Sequence, residues 1–257
     1  MADVKTVEVK PLGLTVTPMT AEETVEWVTK HSGKGLLLNH NLHSAYLYQK
    51  SQVFRDFYAR ANRVVIDGAP ILWLARRTPL RRIGPTHRIG STDWIACLDK
   101  APLPGRLFVF GAEEVSNCDA VSTLRQTLSH SGWHVEGRDG YISWAEAVEW
   151  LQSGKPTLVL VGLGMPMQEE FLTEAWDELP EAVYATVGGA IDYMAGHNPL
   201  APRWMGRFGV EWLWRLVHDP RRLAHRYLVE PFKLGWSLMR NGRSRSATAQ
   251  SPTPEYK

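Results

Sequence analysis

Short apolar runs that end in glycine or a small polar residue recur along the chain, separated by stretches with helical spacing. The clearest unit is Leu158-Val159-Leu160-Val161-Gly162-Leu163-Gly164-Met165-Pro166-Met167-Gln168-Glu169-Glu170-Phe171. Four apolar residues in a row predict a strand buried on both faces, as in a parallel sheet. The two glycines permit a tight turn and leave backbone open to a ligand. Pro166 suits the first turn of a helix, where its missing N–H needs no partner. Glu169 and Glu170 fall in that turn, where the helix dipole favours negative charge. Strand, glycine loop and helix together mark the sheet edge at which open α/β folds bind ligands.

The same alternation fills the rest of the chain. Residues 7–17 alternate weakly and predict a small edge hairpin. Thr20 and Glu23 have the spacing of a capping box, opening a helix to about residue 31. Residues 35–41 predict a strand, 43–61 a helix, and 63–70 a strand ending in Asp67-Gly68, followed by a helix to Arg77. Thr92-Asp93 begins another helix. Leu107 to Gly111 reads as a strand, Glu114 to His130 as a helix and Trp133 to Gly137 as a strand, with a loop over 138–141. Ser143 caps a helix to Ser153, and residues 182–190 give a last strand with its Gly188-Gly189 loop. This pattern predicts an α/β fold: a mostly parallel sheet with helices on both faces. It also divides the chain into an α/β domain over 1–199, a helical appendage over 200–240 and a disordered tail over 241–257, rich in Ser, Pro, Thr and Arg.

Charge sharpens that division. The 257 residues carry a net +2. Residues 201–245 hold ten Lys/Arg against three Asp/Glu, a balance of +7, and the remainder holds 19 against 24, a balance of −5. Four of the eleven tryptophans lie in the same basic segment. A basic amphipathic segment with aromatics predicts contact with a membrane surface. A helical hairpin packed on the core with a solvated basic face is the plainer alternative. Nucleic-acid binding ranks last, because no nucleic-acid motif accompanies the charge. No apolar run approaches a membrane span, and the start of the chain has no signal-peptide pattern. Cys97 and Cys118 offer neither a disulfide framework nor metal spacing, which fits a reducing compartment. Self-association into a homo-oligomer is compatible with all of this.

In a parallel sheet the strand ends lie along one edge, so Asn39, Asn41, Asp67, Gly111, Gly162, Gly164, Gly188 and Gly189 can converge. Asp67 is the candidate base, although Asp-Gly is also a common turn. Arg88 can bind a diphosphate if it stands near that carboxylate, and is an ordinary surface charge otherwise. No phosphate-loop, Gly-x-Ser-x-Gly or Asp-x-Asp motif occurs, and position 167 is Met where a dinucleotide fingerprint needs its third glycine. The nine histidines show no metal spacing. No metal and no cofactor is therefore expected.

Several segments, taken in order, resemble one family. They are Ile66-Asp67-Gly68, Arg88-Ile89-Gly90-x-x-Asp93, Arg138-Asp139-Gly140-Tyr141, Gly162 to Glu169, Val187-Gly188-Gly189-x-x-Asp192, Gly209 to Leu216 and Pro220-Arg221-Arg222. The chain resembles the bacterial WecG/TagA/CpsF-type glycosyltransferases, which include the teichoic-acid ManNAc transferase and the enterobacterial common antigen ManNAcA transferase. The resemblance implies a Rossmann-like domain. It implies inverting, metal-independent transfer from a UDP-sugar to a polyprenyl-diphosphate-linked sugar, in cell-surface polysaccharide synthesis, on the cytoplasmic face of the membrane. Asp67 would be the base, and Arg88 would assist the departing diphosphate. Asn41 and Gln168 would line the donor pocket, with Asn39, Gly111, Tyr141, Gly162, Gly164, Glu169 and Gly188. Arg215 and Arg222, with His225 and Arg226, would face the lipid acceptor. Asn39 stands where relatives often have Thr, Leu200 where Arg is usual, and His225 where a third appendage Arg is usual. A nucleotide-dependent oxidoreductase on a degenerate Rossmann loop and a non-catalytic membrane adaptor are the competing readings.

Overall fold

The structure is a computed structural model that describes residues 6–10, 12–78, 83–199, 201, 202, 205, 210–218 and 220–235, except for the side chain of Arg222. The predicted tail over 241–257, and Leu200, Trp204, Phe208 and Trp236 of the appendage, lie outside the described residues.

Six parallel strands form the central sheet. They are β3 (Gly35–His40), β4 (Arg63–Ile66), β5 (Arg106–Gly111), β6 (His134–Arg138), β7 (Leu158–Gly162) and β8 (Val183–Thr186), in the spatial order β4-β3-β8-β7-β5-β6. The remaining strands, β1 (Val7–Val9) and β2 (Leu14–Val16), pair antiparallel in a hairpin of their own. The hairpin does not join the sheet edge as a strand. It is tied there by Thr17, whose N–H donates to the Val64 carbonyl at 2.6 Å.

Period-two alternation sorts the strand residues into two cores. Leu37, Leu107, Val109, Leu158, Leu160, Val183 and Ala185 pack on one face against α1 (Ala21–Lys30), α5 (Ser91–Ile95), α6 (Glu114–Thr127) and α9 (Ala190–Met194). Leu36, Leu38, Phe108, Phe110, Val159, Val161 and Tyr184 pack on the other against α3 (Gln52–Ala59), α7 (Trp144–Gly154) and α8 (Met167–Glu174). A third cluster joins the hairpin to α2 (Leu42–Lys50) and α4 (Ala69–Ala75). The predicted capping boxes are present at Thr20 and Ser143. The helix predicted over 43–61 is two helices. Ser51 adopts an extended backbone, closes α2 through its N–H and caps α3 through its hydroxyl, which accepts from Phe54 N–H at 3.2 Å.

The C-terminal helices α10 (Glu211–His218) and α11 (Pro220–Leu228) pack on each other, with the Trp212 and Tyr227 rings 6.1 Å apart. Residues 230–235 are again helical. Leu223 and Leu234 are buried, and Leu234 belongs to the third core cluster. The appendage is thus seated on the α/β body rather than held away from it.

The connections fix where a ligand can sit. β5 leads outward to its neighbour β6, whereas β7 leads the opposite way to its neighbour β8. Between β5 and β7 the loops diverge and leave a crevice beyond the strand ends, the usual ligand position in such sheets.

Candidate active site

Three cavities run side by side along the carboxyl edge of the sheet. The one at the β5/β7 divergence is ≈ 480 Å³ and is lined by Ala112, Ser116, Gly140, Tyr141, Gly162, Gly164, Asp192 and His197, among others. A middle cavity of ≈ 340 Å³ shares Gly164, Gly188 and Gly189 with it, and adds Asn39, Asn41, Asp67 and Gln168. A third, of ≈ 440 Å³, shares Asn41, His43, Asp67, Arg215, Arg226 and Tyr227 with the middle one. Beyond Asp67 it is walled by Pro70, Trp212, Leu228, Pro231 and Phe232, so it is largely apolar.

Glycine makes the first compartment. The Cα atoms of Gly111 and Gly162 are register partners, and a Cβ on Gly111 would lie 2.5 Å from the Gly162 carbonyl group. Gly111 also holds φ at 128°, where a side chain is strained. A Cβ on Gly162 would meet Ile191 at 2.3 Å. The backbone therefore approaches closely here, leaving a flat floor. Tyr141 stands open to solvent at the rim.

The middle compartment is built from strand-end polar groups. Asn39 donates from Nδ2 to the Thr186 carbonyl at 3.1 Å, and its own carbonyl accepts from Tyr58 Oη at 2.7 Å. Asn41 caps α2 by accepting from the N–H groups of His43 and Ser44, so its amide nitrogen is turned toward Asp67 Oδ2 at 3.5 Å. Gln168 is fixed at both ends: Oε1 accepts from Gly188 N–H at 3.1 Å, and Nε2 donates to Glu169 Oε1 at 2.9 Å. Glu169 is 3% exposed and its Oε2 has no hydrogen-bond partner among the described residues. Burial pushes its carboxyl up to about 8.

Asp67 lies at the junction of the middle and apolar cavities. Burial raises its carboxyl above the ordinary aspartate range, while Arg215, the Asn41 hydrogen bond and Arg226 pull the other way. Arg215 lies over the Tyr193 ring at 5.3 Å, and Arg226 Nη2 donates to Asn41 Oδ1 at 3.4 Å. Both arginines line both cavities. Arg88 continues the edge of β4, where Ile89 N–H donates to the Ile66 carbonyl at 2.9 Å. Its guanidinium opens into the apolar cavity and donates to Glu211 Oε2 at 2.7 Å. His43 Nδ1 is 2.6 Å from Glu230 Oε2, a second tie between body and appendage.

The structure thus brings together Asp67, Arg88, Asn39, Asn41, Tyr141, Gly162, Gly164, Gln168, Gly188, Arg215 and Arg226 of the residues singled out in the sequence. Gly111 and Glu169 lie beneath the lining rather than in it, supporting the loop and Gln168 respectively. His225 is outside the cavities, exposed and 3.6 Å from Glu230 Oε1. The side chain of Arg222 lies outside the described residues. Sequence reasoning passed over His43, Tyr193, Glu211, Tyr227 and Glu230. His43 and Tyr193 follow strand-end loops closely enough to have been nominated. Glu211 lay within a stretch that carried the resemblance but was given no role, and Glu230 gave no signal, since a strongly basic segment directs attention to its cations.

Comparison with known proteins agrees with this geometry. Residues 9–248 match the Glycosyl transferase WecG/TagA/CpsF family. The N-acetylglucosaminyldiphosphoundecaprenol N-acetyl-beta-D-mannosaminyltransferase of Bacillus subtilis (strain 168) is 28% identical over 190 residues, covering 72% of each chain. The protein of the same name from Bacillus spizizenii (strain ATCC 23059 / NRRL B-14472 / W23) is 31% identical over 139 residues, 52% of this chain and 53% of the relative. These matches speak for a transferase rather than an oxidoreductase or an inert adaptor: the chain belongs to the Glycosyl transferase WecG/TagA/CpsF family and is a glycosyltransferase.

Proposed function

We propose that the protein moves a sugar, with inversion and without a metal, from a UDP-sugar to a polyprenyl-diphosphate-linked sugar at the inner face of the cell membrane. The observation that carries this reading is the place of Asp67, where the polar and apolar cavities meet beneath Arg215 and Arg226. The first compartment suits a nucleoside, the middle one a diphosphate and its sugar, and the apolar one the acceptor. The names of the relatives describe a diphosphoundecaprenol acceptor and a mannosaminyl group. Among the described residues no helix is long and apolar enough to cross a membrane, so the chain would meet such an acceptor from the surface.

The acceptor hydroxyl attacks the anomeric carbon from the face opposite the diphosphate. As the new C–O bond forms, Asp67 takes the hydroxyl proton, and the anomeric C–O bond to the diphosphate breaks. The leaving group departs with added negative charge. Arg215, Arg226 and Arg88 supply positive charge, and fixed cations in a sheltered site stabilise such charge strongly. Arg88 must exchange its bond to Glu211 for this role.

The test is a screen of UDP-sugars against polyprenyl-diphospho-N-acetylglucosamine, read by product mass, with and without EDTA. One UDP-sugar is expected to give product at the same rate in both. Turnover that stops in EDTA and returns with Mg²⁺ would overturn the metal-free mechanism. No product with any UDP-sugar would overturn the donor assignment.

A further inference from the structure

Helix α4 leaves the active site with a face that no described residue beyond Arg77 covers. Its start, Ala69 and Pro70, walls the apolar cavity. One turn later Trp73 is 56% exposed. One turn beyond that, the Arg77 guanidinium lies 3.4 Å from the centroid of the Trp73 ring. Positions 70 and 73 share one side of α4, and Arg77, in the turn just past the helix end, folds back over Trp73. The other side, Ile71, Leu72 and Ala75, is buried in the third core cluster. Trp73 is therefore not needed to fill the core, and an indole this exposed is unusual for the residue type. Arg76 beside it is also exposed, with Nε donating to the Ile83 carbonyl at 2.9 Å. Across the cavity, Leu228 is 50% exposed and Phe232 is 78% exposed, and both line the same wall. The mouth thus has an apolar rim on both sides, one from α4 and one from the appendage.

We propose that the Trp73–Arg77 face of α4 is a membrane contact, pressed against an anionic lipid surface beside the cavity mouth. This rests on the reading that the acceptor is bilayer-borne. Such an acceptor reaches Asp67 only if the mouth faces the bilayer, so both rims then meet lipid. An indole suits the headgroup zone, with its ring in apolar surroundings and its N–H toward water. An arginine stacked on it presents its donors to lipid phosphates, which it can bind in bidentate fashion. A second copy of the chain seated on this face would close the mouth. The body therefore shares membrane docking with the basic appendage, and sets the depth at which the cavity opens.

The experiment uses the full chain and the Trp73→Ser/Arg77→Glu variant. Both are sedimented with vesicles of phosphatidylglycerol and phosphatidylethanolamine in equal parts. Both are then assayed with a long-chain acceptor in those vesicles and with a short-chain, water-soluble one. Each basic group lost from an anionic surface weakens binding about fivefold, so vesicle affinity should fall tenfold or more. Transfer to the vesicle-borne acceptor should fall with it, and transfer to the soluble acceptor should stay unchanged. Unaltered vesicle binding by the folded variant would overturn the proposal. So would a change in sedimentation-velocity mass with no change in vesicle binding, which would make the face a contact between copies. Should the double variant not fold, Trp73→Phe replaces it: brominated lipids should quench wild-type fluorescence more than that of the variant, and equal quenching would overturn the contact. Wild-type inactivity with both acceptors would sink the functional reading beneath, while the vesicle and quenching measurements would still decide the contact.

Discussion

Asp67 and Glu169 are two carboxyls on one sheet edge, both raised by burial, with opposite tasks. As the proposed base, Asp67 must be charged to accept a proton. Asp67→Asn should leave the fold and UDP binding intact and reduce transfer by roughly 100-fold or more, the usual scale for a general base; turnover and UDP affinity measured on the purified variant check this. Because its carboxyl is raised, the wild-type rate should fall with acid at a higher pH than an ordinary aspartate allows. Glu169 holds Gln168 through its Oε1 and is buried with no counter-charge among the described residues. Unfolded, such a carboxyl titrates near ~4.3, whereas folded it stays protonated up to about 8. Between those values the native state holds the extra proton, so this group's contribution to stability falls as pH rises. Glu169→Gln mimics the protonated acid. It should keep activity and gain on wild type in Tm as pH rises from 5 to 8, on the order of 5 °C; thermal melts across that range decide it. Asp67 was legible because a strand end and a glycine flank it. Glu169 was named only through the resemblance, as a lining residue; a carboxylate in a helix's first turn otherwise reads as a dipole partner, and only the packing of α8 shows that it is buried beneath the lining.

Most of the elements were legible because the sheet strands run into a glycine or polar residue and α1 and α7 open with capping boxes, although α6, the longest described helix, has no side-chain cap. Ser51 defeated the pattern. Leu47, Phe54 and Tyr58 keep helical spacing across it, while its extended backbone turns one helix into two. The hairpin over 7–17 was legible as a hairpin, but its docking was not, because the partner side chains come from α2 and α4. Gly111 shows how an element can serve the site without touching a ligand. Gly111→Ala would force a Cβ against the Gly162 backbone at a φ of 128°. The two loops must separate, at a cost of about 1–3 kcal/mol for the strained conformation alone. The variant should melt several degrees lower and bind UDP at least tenfold more weakly, as calorimetry and titration would reveal.

For the whole molecule, the charge division in the sequence, +7 over 201–245 against −5 elsewhere, marked an appendage. It did not reveal that the appendage walls the apolar cavity, because Glu211–Arg88 and Glu230–His43 join residues far apart in the chain. A chain ending at Asn198 keeps all six sheet strands and loses Leu234 from the third cluster. It should fold and bind UDP, sediment far more weakly with anionic vesicles and lose transfer to lipid acceptors. Each basic group lost near the surface removes about 1 kcal/mol of attraction. The difference from the full chain should narrow at high salt, where the attraction is screened. Vesicle binding by the shortened chain equal to that of the intact protein would make the appendage a packing element only.

The two ends of the reaction are also separated in time. Residues 112–198 line the cavity proposed for the nucleoside, whereas the far wall of the apolar cavity waits for residues 211–232. On the proposed assignment, a chain emerging from the ribosome completes the donor side before it has the far wall of the acceptor cavity. Until those helices are released and seated, a nascent molecule has an exposed Asp67 and no second wall, so on that proposal its competence toward a lipid-linked acceptor arrives late in biogenesis.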